Sequence, residues 1–220
     1  MIKKNPIKVD LQFATDSPQL VIANAARVSF DKHTDVLREK DERLVRYLFN
    51  HAHWSPFEMV SLRFKIEAPL FIVQQLLRHK SMSFNQVSAR YVEFKPEFYE
   101  FQSWRERPSN IKQGSVESDK INQSYCDDLY INALEYAYEK YKDLLEEGVC
   151  PEQARSVLPH ATMTTLILGC NLRSLIHFLQ ARLDSHAQRE AQILAHRMVG
   201  SLPVDYNFII QLMNKKKNEE

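Results

Sequence analysis

Residues 58–68 read EMVSLRFKIEA, and their alternation constrains the architecture more than any other stretch. Val60, Leu62, Phe64 and Ile66 project to one side of an extended chain, and Ser61, Arg63, Lys65 and Glu67 to the other. A period of two sustained in this way marks a strand with one buried and one wet face, the habit of antiparallel sheets. Pro69 ends the run and is placed to open a helix, LFIVQQLLRH, over 70–79. A second apolar stretch, MTTLILGC at 163–170, is β-branched and continuous enough to predict a fully buried strand.

Helical patterns surround these strands. Ser17 and Pro18 form an N-cap and N1 pair for a helix over 17–28. Leu44, Val45 and Leu48 share a side of a helix over 41–51, and SPFE at 55–58 reads as a turn. Leu129, Ala133, Ala137, Tyr141 and Leu144 keep helical spacing within 122–147, which closes at Gly148. Pro151 opens a short helix that Pro159 stops. Asn171 caps a long helical region reaching about residue 199. Residues 31–40 read as a charged loop, 95–120 as a surface excursion, and 214–220 as a frayed tail. This order predicts an α+β fold, an antiparallel sheet flanked by helices, in a single domain spanning 1–220.

Composition narrows the chemistry. The formal net charge is only +1, so any cationic site is local and a general affinity for nucleic acid is not expected. No apolar run is long enough to cross a membrane, and the lysines of MIKKNPIKVDLQF are not followed by a signal-peptide core. Three widely spaced cysteines without a CxxC fit reduced thiols in a cytoplasmic protein. Four glycines in 220 residues supply neither GxGxxG nor a P-loop, so phosphate must be held by side chains and helix N-termini.

Two polar constellations stand out. In RHKSMSFNQVSARY, residues 78–91, the cations Arg78, Lys80 and Arg90 lie among Ser81, Ser83 and Ser88. Guanidinium forks and hydroxyls are what a phosphate needs, although a solvated basic turn has the same composition. In NLRSLIHFLQARLDSHAQRE, residues 171–190, Arg173 pairs with His177 and Arg182 with His186 at i,i+4 spacing, on roughly opposite faces of one helix. Three readings fit: the helix breaks near Asp184, it lies between two pockets, or it is a surface helix with ion pairs that include Asp184 and Glu190. His51 and His53 lack a third ligand at metal-like spacing, so no metal site is expected. Arg155, on a short helix before a proline, can project into a site. With no GxSxG and no base near it in sequence, Ser88 reads as a binder and not a nucleophile.

These residues resemble the flavin-dependent thymidylate synthases, the thymidylate-synthase-complementing proteins. Arg78-His79-Lys80, then seven residues, then Ser88 is close to the family's Arg-His-Arg signature with its following Ser. AARVSF at 25–30, HAHWSPFE at 51–58, Gln75, SARY at 88–91, ARSVLP at 154–159, Asn171-x-Arg173 and the segment from Arg182 to Gln188 follow in the family's order. The resemblance implies a homotetramer of α+β subunits that converts dUMP to dTMP, with FAD as cofactor, methylenetetrahydrofolate as carbon donor and NADPH as reductant. It implies flavin sites shared between subunits, which would account for polar groups on both faces of the 171–190 helix.

By position, the resemblance assigns FAD contacts to His53, Ser55, Arg78, His79, Lys80, Ser81, Gln86, Asn171, Leu172, Arg173 and His177. It assigns nucleotide contacts to Gln75, Leu76, Leu77, Arg78, Gln86, Val87, Ser88, Ala89, Arg90, Arg155 and Arg182. Arg182 takes the catalytic place, a fixed cation beside the uracil ring where negative charge develops. Two positions depart from the family. Lys80 stands where Arg is usual and loses the planar fork; Gln86 stands where many members have Glu and removes a negative charge. A relative that hydroxymethylates dUMP, or a nucleotide- or nucleic-acid-binding protein without catalysis, remains the alternative reading.

Restoring the fork with Lys80→Arg is expected to keep or tighten flavin binding, measured as FAD retained per chain through purification. A large loss of FAD in that variant would count against the alignment at residue 80.

Overall fold

A computed structural model describes residues 7–88, 90, 96–109 and 114–217, with side chains described through 214. In chain order it runs β1 (Lys8–Ala14), α1 (Pro18–Arg27), a 3-10 turn (Val28–Phe30), α2 (Glu39–Asn50), α3 (Ser55–Glu58), β2 (Ser61–Pro69), α4 (Leu70–Leu76) and β3 (Met82–Gln86). Then follow α5 (Gln123–Glu146), α6 (Pro151–Ala154) with a 3-10 turn (Arg155–Val157), β4 (Met163–Asn171), α7 (Leu172–Arg182), α8 (Arg189–Gly200), a 3-10 turn (Val204–Tyr206) and α9 (Phe208–Lys217). Among the described residues the strands form one antiparallel sheet in the order β1-β2-β4-β3.

Strand register builds the core in rows. Leu11, Phe64, Leu168 and Phe84 lie across the sheet from one another, as do Val9, Ile66, Leu166 and Gln86. Phe64, Ile66, Leu166 and Leu168 in the two central strands are fully buried. Leu175, Ile176, Phe178 and Leu179 of α7 and Ile72, Val73 and Leu76 of α4 belong to the same apolar cluster. The opposite face carries Arg63 against Gly169 against Ser83, and Lys65 against Ile167 against Asn85. β4 therefore alternates, burying Leu166, Leu168 and Cys170 and half-exposing Thr165, Ile167 and Gly169. The sequence predicts a buried strand here; within one chain only the side facing α7 is covered.

Several elements differ from the sequence-based expectation. β1 and β3 are strands that the sequence reading leaves unassigned. β1 is an edge strand whose register slips between Leu11 and Phe13, a bulge. Ser17 precedes α1, but its side chain makes no cap; with φ of 50° it offers its carbonyl to Leu20 N–H and Val21 N–H. α9 continues to Lys217, beyond the point at 214 where fraying is expected. Asn122 and Asn171 do cap α5 and α7, accepting from Tyr125 N–H (3.1 Å) and Ser174 N–H (2.9 Å).

α1 and α2 are joined by a buried ion pair. Asp41, 0% exposed, accepts from Arg38 N–H at 2.8 Å to close the first turn of α2, and the Arg27 guanidinium at the end of α1 closes on the same carboxylate. Burial alone would raise the Asp41 carboxyl, but hydrogen bonds from Arg27 and the Arg38 N–H and the charges of Arg27 and Lys40 outweigh it and hold the group below its ordinary 3.8. Its stabilisation is complete above that ordinary value and is lost as pH falls through the lower folded-state value. Asp41→Asn is expected to cost about 3 kcal/mol at pH 7 by leaving Arg27 without its counter-charge. The deficit in urea melts should shrink as pH is lowered below 4; a deficit that grows with acid would reverse the assignment.

Candidate functional site

α4 ends at Leu76, three residues before the predicted end, because Leu77, Arg78 and His79 wind down onto the carbonyls of Val73, Gln75 and Leu76. Ser81, at a left-handed φ of 61°, then turns the chain into β3. Arg78, His79, Lys80 and Ser81 thus sit on a turn between a helix and an edge strand, with their backbone outside both elements. β3 pairs Met82 with Cys170, which carries this turn to the start of α7.

α7 also ends early, and this decides among the readings of residues 171–190. Asp184 Oδ1 accepts from His186 N–H at 2.8 Å, a local turn that competes with helix continuation. Residues 183–188 form a loop, and α8 begins at Arg189. The predicted Arg182–His186 pairing on one helix face is therefore absent: His186 lies on the loop with its ring nitrogen 3.0 Å from Asp184. The Arg173–His177 spacing survives within α7.

A web of contacts joins the α4–β3 turn, α7 and α3. Arg182 Nε donates to His79 Nε2 at 3.3 Å, and the His79 ring meets Phe178 edge-on with centroids 5.1 Å apart. Ser174 Oγ donates to the Ser81 carbonyl at 3.1 Å. Arg173 Nη1 donates to Glu58 Oε1 at 2.5 Å, and Trp54 stands edge-on to His177 at 5.0 Å. Gln75 Nε2 donates to Gln188 Oε1 at 2.5 Å. One chain therefore brings together Gln75, His79, Ser81, Asn171, Arg173, His177 and Arg182. His53 and Ser55 lie exposed at the start of α3 nearby in sequence to Trp54 and Glu58.

A second group gathers at the far end of β3, about 13 Å along the strand from Met82. Gln86 Nε2 donates to Thr164 Oγ1 at 3.1 Å, and Val87 N–H to the Thr165 carbonyl at 2.9 Å. Ser88 Oγ accepts from Arg90 N–H at 3.3 Å, and Arg90 Nε donates to Glu152 Oε2 at 3.4 Å. Arg155 Nε donates to the Glu152 carbonyl at 3.4 Å. Ser88, Arg90 and Arg155 thus cluster beside α6, apart from Arg182 and His79. Ala89 lies outside the described residues.

Two predicted contacts change character. The side chains of Leu76 (1% exposed) and Leu172 (0%) are in the core, so only their backbone could meet a ligand. Leu172 N–H already donates to the Val60 carbonyl at 2.9 Å. Sequence reasoning passed over Glu58, the partner of Arg173, and Gln188, the partner of Gln75. Both lie inside segments that carry the resemblance, but pairing across more than a hundred residues has no local signal. Among the described residues no cluster of three or more His, Cys, Asp or Glu is arranged to hold a metal.

The surroundings push both histidines toward the neutral form. Burial, then the positive charge of Arg182, then His177, pushes the His79 imidazole below its ordinary 6.5; burial and then Arg173 do the same to His177. A neutral His79 can accept from Arg182 Nε, and an imidazolium cannot. Arg182→Gln should raise the His79 pKa by removing one of these causes, read by NMR of the ring protons. A parent protein in which His79 titrates above 6.5 would contradict this pairing.

A family model described as "Thymidylate synthase complementing protein" matches residues 10–202. A flavin-dependent thymidylate synthase of Thermosipho africanus is 42% identical over 170 residues, 76% of this chain and 74% of that protein. The enzyme of the same description from Dictyostelium discoideum is 37% identical, over 80% of this chain and 58% of its own length. Among solved structures, a UMP/dUMP methylase, PolB, from Streptomyces cacaoi bound with 5-Br dUMP superimposes with a TM-score of 0.81 at 34% identity, covering 91% of this chain and 92% of that one. The same protein bound with 5-Br UMP gives 0.79 over 91% of this chain.

Proposed function

Because the chain belongs to the thymidylate synthase complementing family, we propose that it is a flavin-dependent thymidylate synthase that methylates C5 of dUMP to give dTMP. In this reading FAD is the cofactor, methylenetetrahydrofolate the carbon donor and NADPH the reductant. The observation that carries it is Arg182. Its Nε is docked on a neutral His79, so the guanidinium is fixed in place by a partner that takes none of its charge. Uracil C5 is a weak nucleophile, and a cation fixed beside the ring stabilises the negative charge that activates it.

The donor set suits a dinucleotide cofactor. Arg78, Lys80 and Ser81 on the turn, with Arg173 at the start of α7, offer cations and a hydroxyl of the kind a pyrophosphate requires. FAD, when bound, supplies the redox chemistry; the chain's own work is to orient the nucleotide, hold Arg182 and keep His79 unprotonated. Ser88, Arg90 and Arg155 suit the dianionic phosphate of a nucleotide.

These two groups occupy opposite ends of β3, so one chain offers two partial sites. That separation supports a homotetramer in which neighbouring subunits complete each site, working in the cytoplasm where its three free thiols stay reduced. Gln86, whose amide is engaged by Thr164, keeps hydroxymethylation of the same nucleotide as a second reading.

The test is anaerobic NADPH oxidation by the purified, yellow protein with dUMP and methylenetetrahydrofolate, with the product weighed by mass spectrometry. The expected mass is that of dTMP, and Arg182→Ala should lower kcat by about a hundredfold or more. A hydroxymethyl product would replace the reading with its alternative, and no flavin absorbance would end both. A monomer in light scattering that still binds FAD would end the shared-site reading.

A further inference from the structure

Glu190 is a carboxylate of 2% exposure in the first turn of α8, and nothing in the reading above uses it. Arg105, from the long excursion between β3 and α5, donates from Nη2 to both of its oxygens, at 2.8 and 3.1 Å. Arg105 is itself steadied by Ser115, whose Oγ accepts from Nε at 2.7 Å. Gln188 Nε2 donates to Glu190 Oε2 at 2.9 Å, and Gln188 Oε1 accepts from Gln75 Nε2 at 2.5 Å.

The chemistry of the first two members dictates the direction of the rest. A guanidinium only donates and an ionised carboxylate only accepts. Gln188 must therefore turn its NH2 toward Glu190, which leaves its carbonyl for Gln75. Gln75 must then turn its own NH2 toward Gln188, which leaves Oε1 as the atom of this amide that the relay does not engage. A neutral amide at 190 would give its oxygen to Arg105 and turn its NH2 toward Gln188, so the order of both glutamines could reverse.

We propose that Arg105, Glu190 and Gln188 are positioning residues that fix the polarity of Gln75, so that the nucleotide meets a carbonyl oxygen and not an NH2 group. This rests on the reading that places Gln75 at the nucleotide site. The ligand group facing Gln75 is then a hydrogen-bond donor, the uracil N3–H or a sugar hydroxyl, and not a phosphate oxygen. The excursion acquires a task in the same step: it delivers the cation that pairs with a buried carboxylate at a distance from the ligand.

The experiment is a double-mutant cycle on FAD-loaded protein, with the dUMP Kd read by calorimetry and FAD content measured in parallel. Gln75→Ala should weaken dUMP binding; if it does not, the placement of Gln75 fails and the proposal with it. Glu190→Gln should raise the Kd about fivefold or more, the effect of misdirecting one buried hydrogen bond, with FAD content unchanged. In the Gln75→Ala background the same substitution should move the Kd less than about twofold, because residues acting as one unit are not additive. A Kd for Glu190→Gln within that margin of the parent, or an undiminished effect without Gln75, overturns the proposal. Should Glu190→Gln fail to fold, Gln188→Met completes the same cycle. Two analogues separate the donors: of 3-methyl-dUMP and dideoxyuridine monophosphate, the one lacking the group that Gln75 meets should bind the parent and Gln75→Ala equally, and a full preference for the parent with both overturns the proposal. Without any nucleotide, the Gln75 side-chain amide resonance, identified by its loss in Gln75→Ala, should exchange slowly in the parent and quickly in Glu190→Gln; equal exchange overturns the relay independently of dUMP binding.

Discussion

The β2–β4 ladder runs from Ser61 opposite Asn171 to Pro69 opposite Met163, and each strand passes into a helix with no intervening loop. Pro69 lacks the N–H that a longer strand would need, and its fixed φ leads directly into α4. Asn171 ends β4 and caps α7 with the same side chain. Because the strands are antiparallel, these exits lie at opposite ends of the ladder. α4 leaves one end, and the turn after it returns β3 to β4 with Met82 opposite Cys170, two residues before α7 begins at Leu172. The meeting of His79 with Arg182, and of Ser81 with Ser174, follows from that register.

The same register keeps the polar groups honest about their roles. Row by row, apolar side chains of β1, β2 and β4 face the helices that cover them, while Arg63, Lys65, Ser83 and Asn85 face away. Arg78, Lys80, Arg173 and Arg182 are displaced from both faces onto turns and helix ends. Asp41 and Glu190 are the exceptions, carboxylates with almost no exposure, and each is met by an arginine and by a further donor. Desolvation of a charge is tolerable only with such partners.

Much of this was legible beforehand where the signal is local. The alternation of Val60, Leu62, Phe64 and Ile66, the stop at Pro69, and the cap Asn171 depend on neighbours within a few residues, and all are as read. β3 was missed because Met82 and Phe84 alternate with polar residues in a stretch that looks like a binding loop. β1 was missed although Ile7, Val9, Leu11 and Phe13 alternate along it, so its signal was local and present. The break of the last long helix was one of three readings, since nothing in the spacing of Arg182 and His186 says that Asp184 will take the His186 N–H. Partners such as Glu58 for Arg173 and Arg105 for Glu190 come from the tertiary fold, which sequence periodicity does not encode.

The slip between Leu11 and Phe13 has a consequence for how copies of this chain can meet. An outer strand with an unbroken row of amide donors and acceptors invites another polypeptide to extend the sheet, the first step toward fibrous stacking. Here the row is interrupted after Leu11, and each remaining piece is too short to template a stable guest. Growth through this edge is thereby disfavoured, which leaves β3 as the sheet's unbroken outer strand.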